Sequence, residues 1–214
     1  AKAAQSSVEA LTTAVGAKAA QSSLDTLTST VNDKAAQSAL DQVSNTLTSA
    51  QTTLQAGIDA LEAFVENGGT LVTFAQAGDL PIDEFDLPVR NAVAGMSGDD
   101  FWAPGSTLKV DVDTSSPFAF GMPENALATY LAGGQVYETI AGARSSDVRR
   151  VVTYVDRDIL QSGWLLGEEA IANKAAVVSV DHGQGAVLLI GFRAQHRAQT
   201  HGTFKLFFNA LVNG

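Results

Sequence analysis

Four residues near the end of the chain have types and spacing that could do chemistry. His196 and His201 lie five residues apart, beside Arg193 and Arg197, in the run GFRAQHRAQTHGTF. Two imidazoles invite a metal reading. A zinc site needs further ligands, however, and a pair on one helix face is spaced four apart rather than five. The two guanidinium groups also disfavour a cation beside them. No metal is therefore expected. The same charges suit an anion or a carboxylate, held by Arg193, His196, Arg197 and His201 at the start of a following helix. The competing reading is structural: an Arg/Gln/His network that fixes the loop between the last strand and the last helix. The structural role is favoured, because a motif is not a site until a pocket accompanies it.

Other chemistries find less support. The chain has no Cys, which removes thiolate nucleophiles, disulfides and cysteine-rich zinc sites. Ser162-Gly163-Trp164 lacks the Gly two residues before the Ser that a nucleophile elbow requires. Gly183-Gln184-Gly185 reads as a hairpin turn, since no helix follows it to receive a phosphate. Asp79, Asp83, Glu84 and Asp86 lack EF-hand spacing, so a solvated acidic loop is expected there. Asp111 and Asp113 alternate with Val110 and Val112, which places them on the exposed face of a strand. Trp102 and Trp164 are read as core or loop anchors rather than sugar platforms. The sequence thus predicts no catalytic residue, no metal and no cofactor. Glutaminase, esterase and carboxypeptidase activities are expected to be absent.

The elements that must position these residues begin with a helix over 57–67. Ile58, Leu61, Phe64 and Val65 share its apolar face, and Gly68-Gly69 ends it. The run TLVTF at 70–74 is a short buried strand, and helix, Gly-Gly, strand makes an α/β unit. Further strands are predicted over 106–112, 148–155, 175–180 and 186–192, with a turn at 181–185 between the last two. A loop covers 113–122, around Pro117 and Gly121, and an amphipathic helix over 203–212 closes the chain.

In this part the runs FVENGGTLVTF, PGSTLKVDVD, SPFAFGMP, LQSGWLLGEE and KAAVVSVDHGQGAVLLIGFRAQHRAQTHGTFKLFFNAL follow one another. In that order they resemble a C-terminal domain of bacterial zinc carboxypeptidases, itself similar to the class I glutamine amidotransferase fold. The resemblance covers about residues 56–214. It implies an α/β layered fold on a largely parallel sheet. Two departures stand out. The amidotransferase nucleophile is a Cys, which this chain lacks, and no metallopeptidase ligand set is present. The family also places a strand before the Leu61–Val65 helix, where this chain has other sequence. Another chain completing the sheet is one way to supply that strand.

That other sequence is a repeat: AKAAQSSVEALTTAVG, AKAAQSSLDTLTSTVN, DKAAQSALDQVSNTLT. Its apolar residues, Val8, Leu11 and Val15, then Leu24, Leu27 and Val31, then Leu40, Val43 and Leu47, with Leu54 beyond, follow a 3-then-4 helical spacing. They form the predicted core of an oligomer, because one such helix cannot bury its own apolar residues. Sixteen residues of helix turn about 160° beyond four full turns, so successive sets point in nearly opposite directions. The chain is therefore expected to leave helical geometry once per repeat, at Gly16 and at Asn32. From Leu40 onward the last helix is expected to run unbroken into the following domain. The repeat resembles stalk segments of phage tail fibres and trimeric surface fibres, which implies a parallel homotrimer. A monomeric helical hairpin or bundle is the alternative.

The 45% hydrophobic, 17% charged composition suits a folded chain. Lys2, Lys18 and Lys34 nearly balance Glu9, Asp25, Asp33 and Asp41, so most of the net charge of −10 lies beyond the repeats. An acidic domain without a basic stripe repels a phosphate backbone, which argues against nucleic acid as a partner. No apolar run is long enough to insert into a membrane. No leader with a basic start and an apolar centre opens the sequence, and the expected location is nonetheless secreted or on a cell or particle surface. The sequence thus predicts two domains: a coiled-coil stalk at 1–55 and an amidotransferase-like α/β domain at 56–214. The predicted role is non-catalytic display or interaction. Alternatives are an accessory domain of a secreted zinc carboxypeptidase, or a fibre-tip adhesin for glycan or peptide.

Overall fold

The computed structural model describes residues 2–140 and 147–213, and the chain divides into two units, Ala1–Gly57 and Ile58–Gly214. Ala, Gln, Leu and Lys recur through the repeats and are strong helix formers. Helix α1 accordingly runs over Lys2–Glu66, and its extension through residues 40–66 without interruption agrees with the sequence reading. The breaks expected at Gly16 and Asn32 do not occur. A helical Gly costs only about 1 kcal/mol and an Asn less, which the flanking helix formers offset. Thr residues that would otherwise weaken the helix turn their hydroxyls back onto it: Thr12 to the Val8 carbonyl at 2.9 Å, Thr28 to Leu24 at 2.9 Å, Thr46 to Gln42 at 2.9 Å. The repeat shows again in Gln21 to Asp25 and Gln37 to Asp41, both 2.7 Å.

The phase error therefore stays in the helix. The Val8 and Leu40 sets lie near one side and the Leu24 set about 160° away. The apolar side chains from Val8 to Leu54 are each more than half exposed in the single chain.

In the second unit, α1 ends in a Schellman arrangement. Gly69 N–H donates to the Phe64 carbonyl at 3.0 Å and Gly68 N–H to Val65 at 2.9 Å. Gly68 sits at φ +104, a conformation that an L side chain rarely adopts. Strand β1 follows at Thr70–Phe74, then a one-turn 3-10 helix and the short α2, Asp79–Glu84. The acidic stretch expected to be a loop is thus partly helical. The remaining strands are β2 (Val89–Asn91), β3 (Gly105–Val112), β4 (Asn125–Leu131), β5 (Tyr137–Thr139), β6 (Val148–Tyr154), β7 (Leu160–Ser162), β8 (Ala175–His182) and β9 (Gly185–Ile190). Helix α3, Phe204–Asn213, closes the unit.

The strands form one nine-stranded sheet whose main path is β1-β9-β8-β6-β3-β4, with β5 beside β8, β2 beside β5 and β7 beside β3. Among the described residues only β1 and β9 run parallel, and the other pairings are antiparallel. The largely parallel sheet implied by the resemblance is corrected to a mixed one. The physical reason lies in the connections. A parallel neighbour needs a long crossover, usually a helix, whereas an antiparallel one needs only a turn. Here the described α-helices of this unit precede β2 or follow β9, and only one-turn 3-10 helices lie between.

Both sheet faces are buried. On one, Leu188 and Ile190 of β9 pack with Val110, Phe118, Leu206 and Ala210, beneath α3. On the other, Val187 and Leu189 pack with Val65, Phe85 and Tyr137, beneath the end of α1 and α2. The tip of the β8–β9 hairpin fits the end of α1. Gln184 N–H donates to the Glu66 carbonyl at 2.9 Å, and a Cβ on Gly183 would stand 2.5 Å from the Glu66 Cα.

Candidate functional site

The parallel pair β1 and β9 sends both chain directions out at the same edge of the sheet. In open α/β sheets ligands settle outside such carboxyl ends, where backbone leaves the sheet and makes room. After Phe74 the backbone turns at Ala75, φ +50, and the residues Gln76, Ala77 and Gly78 that follow are not bulky apolar ones. After Ile190, Gly191 lies flat against Gln135, whose N–H donates to the Gly191 carbonyl at 2.7 Å. A side chain at Gly191 would collide with the Gln135 carbonyl at 2.1 Å. Beside the first of these turns, and reached from the second through Gln135, opens a cleft of about 300 Å³, lined on its polar side by Gln76, Asp79, Asn91 and Gln135 and on its aromatic side by Phe101, Trp102 and Tyr130.

A directed chain of hydrogen bonds forms the floor. The buried Tyr137 hydroxyl donates to Gln135 Oε1 at 2.9 Å, and Gln135 Nε2 donates to Asp79 Oδ1. Burial pushes the Tyr137 hydroxyl up, with the Asp79 charge adding to it, so this group remains a neutral donor. Burial raises Tyr130 in the same direction, and its hydroxyl donates to the Gly134 carbonyl at 2.7 Å. Thr73 Oγ1, Gln135 Oε1 and the Tyr137 hydroxyl converge on the space where a Cβ of Gly78 would stand. Asn91 is fixed from below. Its Oδ1 accepts from Val93 N–H and Val136 N–H, each at 3.2 Å.

Among the described residues the cleft lining holds one carboxylate, Asp79, and no His, Ser, Lys or Arg. A carboxylate without a partner acid, base or nucleophile lacks the pairing that hydrolytic chemistry uses.

The C-terminal motif is placed elsewhere and is dispersed. Arg193 lines a recess with Gln76 and Gln195, whereas His196 lines another with Ser106, Thr129 and Ser162. Arg197 is exposed, at φ +47, and the His201 ring stands edge-on to Phe204 at 5.7 Å. Among the described residues none of these four side chains makes a hydrogen bond or ion pair. The network expected of the arginines is supplied instead by Thr203, 1% exposed, whose Oγ1 lies 2.7 Å from the carbonyls of Ala194 and Thr200.

One possible metal-ligand group that the sequence reading passed over does come together. Glu62 and Glu66, one helical turn apart, and His182 at the end of β8 place ligand atoms within 4.8 Å of one another. Two carboxylates and an imidazole are donors that a divalent ion accepts. His182 Nε2 already faces Glu62 Oε1 at 3.1 Å, and its ring stacks on Phe85 at 5.5 Å. The helix spacing of Glu62 and Glu66 was readable, but the third member lies 116 residues further along the chain from Glu66 and is brought in only by the hairpin.

Trp102 and Trp164, expected as core or loop anchors, lie outside the core, 46% and 71% exposed. Asn91 and Gln135 were missed because single amides carry no spacing motif. The strand-end rule applied to TLVTF-AQAG was the one signal that pointed to this edge.

No protein-family model matches the sequence, and no curated protein matches it. Three solved structures show the level of likeness. A cytoplasmic protein from Salmonella typhimurium is 15% identical over 72% of this chain and 58% of that one, with a TM-score of 0.44. A ThuA-like protein from Bacteroides uniformis is 19% identical over 72% and 61%, TM-score 0.41. A GMP synthase-like protein from Thermoplasma acidophilum is 11% identical over 73% and 63%, TM-score 0.45. The chain spans about three-fifths of the length of these structures. The chain is a mixed α/β protein with an N-terminal helix, and it is similar to ThuA-like and GMP synthase-like folds.

Proposed function

We propose that the chain is a non-catalytic structural or interaction protein, in which a self-associating helical stalk presents the α/β domain. One observation carries this reading: the apolar side chains of all three repeats, from Val8 to Leu54, are more than half exposed in the single chain. Leaving that many apolar side chains in water is costly, at about 1.5–3 kcal/mol for each fully buried Val or Leu forgone. A second copy of the chain is the natural cover. It carries the same repeats in the same order and nearly balanced charge, so parallel copies meet like with like. We take the assembly to be a homotrimer. Because successive apolar sets lie about 160° apart on one unbroken helix, each copy offers apolar surface on more than one side.

The presented domain is taken as a degenerate amidotransferase-like domain of the kind that ends bacterial zinc carboxypeptidases, on the strength of the residue runs that resemble it. Among the described residues its β1 strand pairs with β9 alone, which leaves its other edge for a strand from another chain. A secreted or surface location follows from the fibre-like repeat. The half-exposed Trp102 and exposed Trp164 favour one second reading, a fibre-tip adhesin.

Leu27→Asp tests the proposal. Light scattering should show an assembly for the unaltered chain and smaller species for the variant, because each copy would bury a charge. A monomer before and after the change contradicts it.

A further inference from the structure

We infer that the cleft at the carboxyl ends of β1 and β9 is a binding site for a neutral saccharide, with Trp102 as its stacking wall. The inference deepens the display reading, and rests on it only in treating the cleft as a site of binding rather than of reaction.

The polar groups left over after the protein has satisfied itself decide the ligand class. Asn91 Oδ1 is held by two backbone N–H donors, which fixes the orientation of the amide and leaves Nδ2 for the cleft. Asp79 Oδ1 takes Gln135, which leaves Oδ2 as an acceptor. The Gln76 amide lines the cleft without a hydrogen bond of its own among the described residues. A carboxylate acceptor flanked by amide donors matches adjacent hydroxyl groups, each of which donates one bond and accepts others. Asp79 is the single charge in the lining, and no base answers it. The lining itself offers no basic partner to a phosphate or carboxylate, Arg193 standing in the neighbouring recess beyond Gln76, so a neutral ligand is favoured.

The aromatic side selects a flat apolar face. Trp102 lines the cleft, and Trp164 stands edge-on to it with ring centroids 6.3 Å apart. Their exposure does not come from loose loops. Trp102 and Leu166 exchange backbone hydrogen bonds of 3.1 and 2.9 Å. Trp164 N–H donates to the buried Ser106 Oγ at 3.1 Å, and the Trp164 carbonyl accepts from that same hydroxyl. Gly163, at φ +102, lies so close to β3 that a Cβ would meet the Gly105 carbonyl at 2.6 Å. Two indoles are thus held out in water on pinned backbone. Such rings bury much apolar area at small entropy cost when a ligand covers them. The pyranose C–H face fits them, while its hydroxyls reach Gln76, Asp79 and Asn91. The volume of about 300 Å³ is at the small end of the ligand-pocket range, which suits one or two sugar units.

The test uses the intact chain and a panel of neutral oligosaccharides built from glucose, galactose, xylose, mannose and N-acetylglucosamine. Tryptophan fluorescence and saturation-transfer NMR report binding. At least one member should give a saturable response at millimolar concentration. Trp102→Ala should weaken it about tenfold or more. Gln76→Ala should weaken it less, and because Gln76 is exposed and unbonded this variant keeps the fold. No saturable response across the panel overturns the inference, as does binding that persists unchanged in both variants. A response to spermidine, but to no sugar, that Trp102→Ala removes would mean a cation site and also overturns it. Release of free sugar from a bound oligosaccharide would leave the site standing and overturn the non-catalytic reading.

Discussion

Replacing Thr203 by Val should lower the stability of the α/β domain, while replacing Arg197 by Ala should not. Val keeps the shape of Thr and removes only the hydroxyl. In the structure that hydroxyl is buried and lies 2.7 Å from two carbonyls, those of Ala194 and Thr200, and 3.0 Å from the Thr200 hydroxyl. Ala194 is itself fully buried, so its carbonyl gains no water when the donor is lost. A buried polar group left without its partner costs about 1–3 kcal/mol. For a domain of this size each kcal/mol moves the melting temperature by about 2–4 °C, so the fall should be roughly 2–12 °C. Arg197 is exposed and unbonded, and its removal should stay within about 0.5 kcal/mol. Near-ultraviolet circular dichroism is the assay, because no aromatic residue precedes Phe64 and the signal therefore reports the domain alone. If Thr203→Val melts with the unaltered chain while Arg197→Ala falls by several degrees, the arginines hold the motif and the reasoning fails. A melting temperature that rises with phosphate, and no longer does so in Arg197→Ala, would restore the anion site.

Glu138 gives a pH dependence. The hydrogen bond from Lys174 holds its carboxyl below the ordinary glutamate value; burial opposes it, and the hydrogen bond from Arg90 and the charges of both cations add to the lowering. A lowered native value means the contribution is full above the unfolded value and is lost as pH falls through the native one. Melting temperature should therefore drop as pH falls through and below the ordinary glutamate range, and Glu138→Gln should flatten that drop. Gly183→Ala should destabilise by more than about 1 kcal/mol, read by the same melt, because φ +63 strains the new residue and its Cβ meets Glu66.

The strands with plain alternation or unbroken apolar runs were legible. The runs 70–74, 106–112, 148–155 and 175–180 all appear as strands, and the Gly68-Gly69 stop ends α1 as read. The β8–β9 turn proved tighter than read, since His182 pairs with Gly185 and leaves two residues at the tip. β2, β5 and β7 were not legible, being three residues each and held by neighbours rather than by their own pattern. β4 escaped because NALATYL is rich in Ala and carries no β-branched alternation. The direction of the sheet was misread because it came from resemblance, whereas the connections decide it. Gly16 and Asn32 were overread: their local penalties are small beside a long run of helix formers. The cleft depends on single amides brought together from residues 76, 91 and 135, and no spacing in the sequence announces them.

The central claim is that the repeats join copies of this chain. Its most direct test is the mass of the intact protein by sedimentation equilibrium across a range of concentrations. The account predicts a particle of three 22.2 kDa chains that dissociates on dilution. A single chain of that mass at every concentration would contradict it, because the exposed residues from Val8 to Leu54 would then have no second copy to cover them.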